Sequence, residues 1–230
     1  LDRSSAASDV YKRQLTRRKA HEVVAVYFGD GATSSNDFHA GMTFAGAWKA
    51  PVIFLCRNNG WAISVPSEHQ CGAKALADKA VGYGVNALRC DGNDALAVFE
   101  TVCEARAHAL AGDGPVFVEM LTYRVSGHST SDDPTVYRDE TEVDGFRRAD
   151  PIARLRVYLD ATGAWTNDAE TNLRTSFEAE LRAMTTRAEQ KPAAPVETIF
   201  RDIYATQTPR QAAQEASVVN GPRPRAGHKS

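Results

Sequence analysis

The sequence predicts an α/β fold: a doubly wound, mainly parallel sheet followed by a C-terminal helical extension. Two observations predict this class. Short runs of β-branched and aromatic residues alternate with segments whose apolar residues repeat at helical spacing, and the runs are apolar throughout. Strands of that kind are buried on both faces, as in a parallel sheet that helices cover from both sides.

Four strands and three helices are predicted in the first half of the chain. The strands are predicted over residues 23–28, 51–56, 85–90 and 115–121. The helices are predicted over 34–48, 73–82 and 94–111, and Asp94 suits the N-cap of the third. Because ligands of such sheets bind beyond the carboxyl ends of the strands, the turns after the first two strands are the natural place for a site.

The rest of the chain divides by composition. Residues 1–20 have little apolar periodicity, and residues 4–14 resemble translated vector sequence, so we expect a non-native or disordered head. We assign residues 21–150 to the α/β domain, with a polar loop over 124–139. C-terminal helices are predicted within 151–205, and a flexible tail over 206–230, where prolines and glycines replace large apolar residues.

Charge and cysteine content exclude several classes. The 27 Lys and Arg residues nearly balance 29 Asp and Glu, so we expect neither nucleic acid nor an anionic membrane as a partner. No targeting signal is visible, and no apolar run reaches the roughly 18 residues of a transmembrane helix. The four cysteines lack zinc-site spacing, so we expect reduced, mostly buried thiols in a reducing compartment: Cys56, Cys71, Cys90 and Cys103.

The turn after the first strand reads Gly29-Asp30-Gly31-Ala32. Its two glycines allow a tight turn and a close approach to a ligand, and the N-terminus of the following helix favours an anion. The carboxylate of Asp30 would repel a phosphate unless a divalent cation lay between them. Carboxylate and phosphate oxygens together are a usual environment of Mg²⁺, so Asp30 is a predicted metal ligand.

The turn after the second strand, residues 57–61, offers complementary groups. Asn59 carries a side-chain carbonyl oxygen, Trp61 a main-chain one, and Arg57 could bind a phosphate through two hydrogen bonds. Taken alone, Gly-Asp-Gly or Asn-Asn-Gly is most often an ordinary turn. The two together, separated by the 26 residues 32–57 that hold a helix and a strand, form a specific pattern.

This GDG-x26-NN pattern resembles that of thiamine-diphosphate enzymes, in which the acidic residue and the second Asn hold Mg²⁺ against the diphosphate. Residues 28–64 are similar to the α subunit of the E1 component of 2-oxo acid dehydrogenase complexes. Residues 122–138 and 150–159 resemble the branched-chain members of that family, the 2-oxoisovalerate dehydrogenases. The similarity covers about residues 23–204, so the resemblance implies a partial thiamine-diphosphate-binding fold within an N-terminally incomplete subunit.

The resemblance also implies the cofactors, thiamine diphosphate and Mg²⁺, and a role for each matching residue. The implied metal ligands are Asp30, Asn59 and the main chain of Trp61; relatives often have Glu and Tyr at the first and third of these positions. The implied diphosphate-binding groups are the backbone amides of Gly31 and Ala32 and the side chain of Arg57. His128 would lie over the cofactor and assist proton transfer near the reacting carbon.

The implied activity is the oxidative decarboxylation of branched-chain 2-oxo acids, with acyl transfer to the lipoyl group of an E2 acyltransferase. The implied assembly is an α2β2 heterotetramer with an E1 β subunit, in the cytoplasm of a bacterium or the mitochondrial matrix of a eukaryote. Three alternatives stay open. They are a pyruvate or acetoin dehydrogenase α subunit, a non-catalytic phosphate-binding α/β module, and an inactive fragment.

The polar loop 124–139 carries a candidate regulatory residue, Ser129. In eukaryotic relatives the matching serine is a kinase target, but their second regulatory serine corresponds to Asp139 here. We therefore expect Ser129 to be a structural loop residue without regulation. We also expect Arg124 and the pair Tyr137-Arg138, which flank the loop, to pin it through salt bridges to Asp132 or Asp133.

Overall fold

The computed structural model describes residues 22–221. The predicted head, residues 1–20, and the last nine residues of the predicted tail lie outside this range. The chain divides into two compact units between Trp165 and Thr166, and each is described separately.

The first unit contains a parallel sheet of four strands in the order β1-β2-β6-β5. Its strands are β1 (Val24–Gly29), β2 (Val52–Asn58), β5 (Asn86–Asp91) and β6 (Val116–Leu121). A short antiparallel pair, β3 (Trp61–Ala62) and β4 (Val65–Pro66), follows β2. The predicted α/β class and parallel sheet are confirmed, and each of the four parallel strands begins and ends within two residues of its prediction, while β3 and β4 were not predicted.

Helices cover both faces of this sheet, as a doubly wound fold requires. Along β2, Val52, Phe54 and Cys56 face the core formed with α1 (Asn36–Ala47) and α3 (Asp78–Val81). Ile53 and Leu55 point the other way, toward α4 (Ala95–Ala111), because successive strand residues alternate between faces. The cover is incomplete at the edge: Tyr27 of β1 is 67% exposed on the α4 side.

Helix α1 begins two residues later than predicted, because Asp30–Ser34 forms a 3-10 turn first. Ser35 caps the helix, its hydroxyl oxygen accepting a hydrogen bond of 3.2 Å from the amide of Phe38. Near the other end, a Cβ added at Gly46 would lie 1.9 Å from the carbonyl oxygen of Tyr83. A glycine at this position therefore lets α1 pack directly on the chain that leads into β5.

The helix predicted over residues 73–82 is largely wrong. The structure has two single-turn helices, α2 (Ser67–Gln70) and α3, joined by residues without regular structure. The amide of Ala77 donates to the buried carboxylate of Glu119, 3.0 Å away, and the amide of Ala75 donates to Asp78. These side chains replace the carbonyl acceptors of a continuous helix, which explains why the local helical pattern fails here.

The polar loop 124–139 contains a 3-10 turn, Pro134–Val136, and is followed by α5 (Glu140–Arg147) and α6 (Pro151–Ala161). Helix α5 was not predicted, although Asp139 caps it through the amide of Thr141. Helix α6 confirms that the C-terminal helices predicted within 151–205 begin at residue 151.

The four cysteines are free thiols, but the expectation that most are buried is wrong. Only Cys56 is fully buried, and burial raises the pKa of its thiol. Cys103 is exposed because it lies on the outer surface of α4.

The second unit contains α7 (Asn167–Glu189), α8 (Thr198–Arg201) and α9 (Pro209–Asn220). The flexible tail predicted from residue 206 is therefore wrong over α9. Thr208 and Gln211 form a reciprocal capping box at its start, and Pro209 occupies the first turn. Glu215 then accepts hydrogen bonds from Arg201 and Gln207, which ties α9 to α8.

Among residues 22–221, no helix combines the length and the hydropathy that crossing a bilayer requires.

Candidate functional site

The two predicted site turns meet at one edge of the sheet. Asp30 follows β1 and Asn59 follows β2, and these parallel strands are paired up to Gly29 opposite Arg57. The amide of Asn59 donates to Oδ1 of Asp30 over 3.4 Å. Two residues 29 positions apart are thus in contact at the carboxyl ends of their strands.

Asp30 is almost fully buried, with 1% exposure, and it accepts hydrogen bonds from several neighbouring residues. Its Oδ2 accepts a hydrogen bond of 3.1 Å from the hydroxyl of Ser67. Its main-chain oxygen accepts from Nε2 of Gln70 at 3.0 Å and from the hydroxyl of Thr33 at 2.7 Å. Helix α2, which supplies Ser67 and Gln70, therefore fixes the Gly-Asp-Gly turn; neither residue was predicted to contribute.

The second turn is fixed by its own short-range contacts. Oδ1 of Asn59 accepts a hydrogen bond of 3.1 Å from the amide of Trp61. Gly60, between them, has φ of +82°, a left-handed conformation that favours glycine, and its carbonyl oxygen accepts from the amide of Ser67. Trp61, only 9% exposed, therefore has a defined backbone position beside Asn59.

The predicted metal ligands form a chemically suitable donor set. They are a carboxylate at Asp30, a side-chain amide oxygen at Asn59 and a main-chain carbonyl oxygen at Trp61, all hard oxygen donors. Within residues 22–221 no group of three or more His, Cys, Asp or Glu side chains is arranged to hold a metal ion. A cation here would take one carboxylate, with neutral oxygens, water and ligand phosphates completing its shell, as Mg²⁺ often does.

The predicted diphosphate-binding groups lie at the same edge. Gly31 belongs to the 3-10 turn, and a Cβ there would come within 3.1 Å of the Cβ of Ala62, so a glycine lets β3 pack closely. Ala32 is exposed one residue further on. Arg57 is exposed near the end of β2. These positions leave the groups accessible to a ligand that approaches from the strand ends.

The polar loop packs against the second turn. The guanidinium of Arg124 donates to the carbonyl oxygen of Ile63 at 2.5 Å and, more weakly, to that of Trp61 at 3.4 Å. The ring centroids of Trp61 and Tyr137 lie 5.3 Å apart. The base of the loop is therefore adjacent to the candidate metal site.

The loop is pinned, but not by the predicted salt bridges. Oδ2 of Asp132 accepts from the amide of His128 at 2.7 Å and from the hydroxyl of Tyr137 at 2.6 Å. These two hydrogen bonds hold the pKa of Asp132 below its ordinary value, and the one from the His128 amide has the larger effect. Arg124 donates to the Tyr137 hydroxyl at 2.8 Å instead of pairing directly with a loop carboxylate.

Arg138 clamps the start of the loop. Its guanidinium donates to the main-chain oxygens of Arg124, Val125 and Ser126. The guanidinium carries five N–H donors in one plane, so a single side chain can reach all three carbonyl groups. The prediction that arginines hold the loop is correct, while the predicted partners are wrong.

His128 and Ser129 are exposed within this loop. The Ser129 hydroxyl lies 3.3 Å from that of Ser131. Among the contacts recorded for the described residues, none joins His128 to Asp30 or Asn59. The structure therefore brings together the predicted metal ligands and the base of the loop, while no hydrogen bond within residues 22–221 joins the His128 imidazole to those ligands.

A cavity of about 570 Å³ opens beside these elements. Its lining comes from both the second turn and the loop region: Gly60, Trp61, Ser67, Thr122, Tyr123 and Tyr137. The ring of Tyr123 stacks on that of Phe146 with 4.0 Å between the ring centroids. Desolvation raises the pKa of the Tyr123 hydroxyl. The volume is in the range of small-molecule and cofactor sites.

Glu119 is a further buried polar residue that the sequence pattern does not single out. It lies in β6, is 0% exposed, and accepts a hydrogen bond of 2.7 Å from Nδ2 of Asn58. Its other oxygen accepts from Ala77 and lies 3.3 Å from Nε of Arg89. The sequence offered one sign of this residue's importance, an acidic side chain inside an otherwise apolar predicted strand.

Fold and site define an α/β protein with a candidate ligand site at the carboxyl edge of a parallel sheet. The chain belongs to the dehydrogenase E1 component family, whose model matches residues 6–197.

Two relatives with branched-chain names match most of this chain. The chain is 42% identical over 198 residues to the 3-methyl-2-oxobutanoate dehydrogenase subunit alpha of Mycobacterium tuberculosis, covering 84% of this chain and 52% of the relative. It is 39% identical over 201 residues to the mitochondrial 2-oxoisovalerate dehydrogenase subunit alpha 2 of Arabidopsis thaliana, covering 87% of this chain and 42% of the relative.

A relative named as a pyruvate dehydrogenase subunit is nearly as similar. The pyruvate dehydrogenase E1 component subunit alpha of Staphylococcus epidermidis is 39% identical over 205 residues, covering 89% of this chain and 55% of the relative. The chain spans about half the length of the curated relatives it matches. Identity alone therefore establishes the family but does not separate the two substrate classes.

Proposed function

We propose that this chain acts in the α subunit of a branched-chain 2-oxo acid dehydrogenase E1 component and binds Mg²⁺ and the diphosphate of thiamine diphosphate. The observation that carries this proposal is the contact of Asp30 with the Asn59 turn at one sheet edge, in a member of the E1 family. A carboxylate held next to an amide carbonyl oxygen suits a cation that neutralises a diphosphate.

Each residue of the site has a distinct part in this proposal. Asp30, Asn59 and the main chain of Trp61 would hold the metal, and Gly31, Ala32 and Arg57 would bind diphosphate oxygens. Bound thiamine diphosphate would supply the electron sink for loss of CO₂ from a 2-oxo acid. The task of this chain would then be to anchor and orient that group and to present a proton-transfer residue.

His128 would be that residue. A neutral imidazole can accept or donate a proton near pH 7. Its backbone amide is bound to Asp132, and Arg138 holds the preceding carbonyl groups, so the loop presents His128 from a defined backbone. Ser129, exposed beside it, is proposed to be a structural residue without regulation. Detection of phosphate on Ser129 in the native protein would contradict that part.

The proposed partners are an E1 β subunit, in an α2β2 assembly, and the lipoyl group of an E2 acyltransferase. The proposed substrates are branched-chain 2-oxo acids. Two of the three relatives described above carry branched-chain names, which favours this class over pyruvate. The proposed compartment is the bacterial cytoplasm or the mitochondrial matrix.

Turnover in a reconstituted complex tests this proposal. The chain would be combined with a β subunit, thiamine diphosphate, Mg²⁺ and a lipoyl acceptor, and decarboxylation of 3-methyl-2-oxobutanoate compared with that of pyruvate. We expect the branched substrate to be preferred in kcat/KM, and His128→Ala to lower the rate by about 10²-fold or more. His108→Ala, in α4, is the matched histidine control and should keep the rate.

Preference for pyruvate would instead favour the pyruvate dehydrogenase alternative. Binding of thiamine diphosphate without any decarboxylation in the assembled complex would favour a non-catalytic module.

A further inference from the structure

We propose that Glu119 is a positioning residue for the metal-binding turn, acting through the side chain of Asn58 to orient Asn59 and Trp61. This inference rests on the proposed function, because it takes those two residues as metal ligands. Glu119 itself touches neither of them in the recorded contacts of the described residues.

The placement of Glu119 is costly for a purely structural residue. It lies within the sheet, paired in register with Cys56 of β2 and Arg89 of β5, and its side chain is 0% exposed. Burying a charge costs free energy unless it is paired and hydrogen-bonded, and the ion-pair partner of Glu119, Arg89, is itself half exposed. We therefore infer the role of this carboxylate from the three donors that converge on it.

One of these donors leads to the site. Nδ2 of Asn58 donates to Oε1 of Glu119 at 2.7 Å, while Oδ1 of Asn58 accepts from the amide of Gly60 at 3.2 Å. An ionised carboxylate can only accept hydrogen bonds. Glu119 therefore selects the amide orientation of Asn58 that leaves its oxygen facing Gly60.

Gly60 is the centre of the turn whose neighbours are the proposed ligands. Its amide is held by Asn58, and its carbonyl oxygen accepts from the amide of Ser67. The hydroxyl of Ser67 donates to Oδ2 of Asp30. The buried carboxylate thus controls the second turn directly, and that turn shares Ser67 with the first.

A sharp test replaces the carboxylate of Glu119 by an amide and then the amide of Asn58 by a carboxylate. In Glu119→Gln the single carbonyl oxygen stays with the two donors of Ala77 and Arg89, so the new NH₂ group faces Asn58. Asn58 then turns its oxygen to that NH₂ and its own NH₂ toward the Gly60 amide, where two donors meet. In the double variant Glu119→Gln with Asn58→Asp, the Gln amide donates to the Asp carboxylate. Its oxygen can still accept from Ala77 and Arg89, so every hydrogen bond is restored.

The experiment measures two quantities on the full chain and on the three variants Glu119→Gln, the double variant and Arg89→Gln. The first is hydrogen exchange of the Gly60 amide by NMR without cofactor, and the second is the Mg²⁺ dissociation constant in the presence of thiamine diphosphate. We expect Glu119→Gln to lose Gly60 protection and to weaken Mg²⁺ binding about tenfold or more. The double variant should recover both.

Arg89→Gln is the matched control. It removes another partner of the same carboxylate, on the side away from Asn58, and should leave both quantities within about twofold of the unmodified chain, well below the tenfold effect of an outer-shell partner.

Three results would overturn the proposal. They are Gly60 protection unchanged in Glu119→Gln, no recovery in the double variant, or Arg89→Gln as damaging as Glu119→Gln. If Glu119→Gln does not fold, a double variant with native Gly60 protection supports the proposal, and one without it refutes it. Absence of Mg²⁺-dependent binding in the unmodified chain would refute the proposed function instead, while Gly60 exchange would still decide whether Glu119 positions the turn.

Discussion

Gly46 of α1 packs against the main chain at Tyr83 so closely that a Cβ at residue 46 would lie 1.9 Å from the Tyr83 carbonyl oxygen. The obstructing atom belongs to the backbone, so relief requires a shift of the helix or of the chain before β5. Helix α1 directly follows the turn that carries Asp30. This single contact therefore helps to set the position of the candidate site.

Gly46→Ala should destabilise the protein by about 1–3 kcal/mol, because the added methyl group overpacks this contact. The free energy of unfolding from urea denaturation measures the effect. Gly145→Ala is the control, since Gly145 lies in helix α5 with open space around its Cβ position. That change should stabilise by up to about 1 kcal/mol through helix propensity. Equal effects at the two positions would contradict the packing argument.

Arg138→Lys should loosen the polar loop. A lysine cannot reach the carbonyl oxygens of Arg124, Val125 and Ser126 with one planar group. Limited proteolysis should cut within residues 124–139 at least about tenfold faster, corresponding to roughly 1.4 kcal/mol of local stability. Arg147→Lys, which changes a surface ion pair in α5, should leave the cleavage rate unchanged. Equal rates for both variants would show that the carbonyl clamp does not order the loop.

Tyr137→Phe should raise the pKa of Asp132 without returning it to the ordinary value of 3.8, because the hydrogen bond from the His128 amide, which lowers that pKa most, remains. The folded-state pKa is depressed, so the contribution of Asp132 to loop stability is present above 3.8 and is lost as the pH falls through the folded value. NMR titration of the Asp132 carboxyl measures the shift. An identical pKa in Tyr137→Phe would contradict the assigned role of the hydroxyl.

Thr208→Ala should fray α9 by removing its capping box, at a cost of about 1 kcal/mol. Thr208→Ser keeps the hydroxyl and serves as the matched control. Hydrogen exchange of the first amides of α9 should speed up in the Ala variant alone. If the two variants exchange alike, the hydroxyl does not cap the helix.

The sequence predicts the elements that follow from the order of residues along the chain. Residues 52–56 of β2 are all apolar because both faces of the sheet are covered there, and this run is visible in the sequence alone. The spacing from Asp30 to Asn59 predicts their contact because parallel strands present their carboxyl ends at one edge.

The parts that escape prediction depend on contacts between distant residues. Residues 73–82 are largely non-helical because Glu119 accepts from the amide of Ala77, 42 positions earlier, and no local pattern reveals that acceptor. Asn58 and Glu119 are 61 positions apart, so their pairing is equally hidden. Helix α9 was missed for another reason: prolines and glycines of the tail outweighed the capping signal at Thr208 and Gln211.

The central claim is that Asp30 and Asn59 hold a cation against a diphosphate. Its most direct test is calorimetric binding of thiamine diphosphate to the chain with Mg²⁺ and with the metal chelated. We expect binding that requires Mg²⁺ and that falls at least about tenfold in Asp30→Ala and in Asn59→Ala. Asp37→Ala, which removes an exposed carboxylate of α1, should bind as the unmodified chain does. Binding that is independent of Mg²⁺, or unchanged in both ligand variants, would contradict the claim.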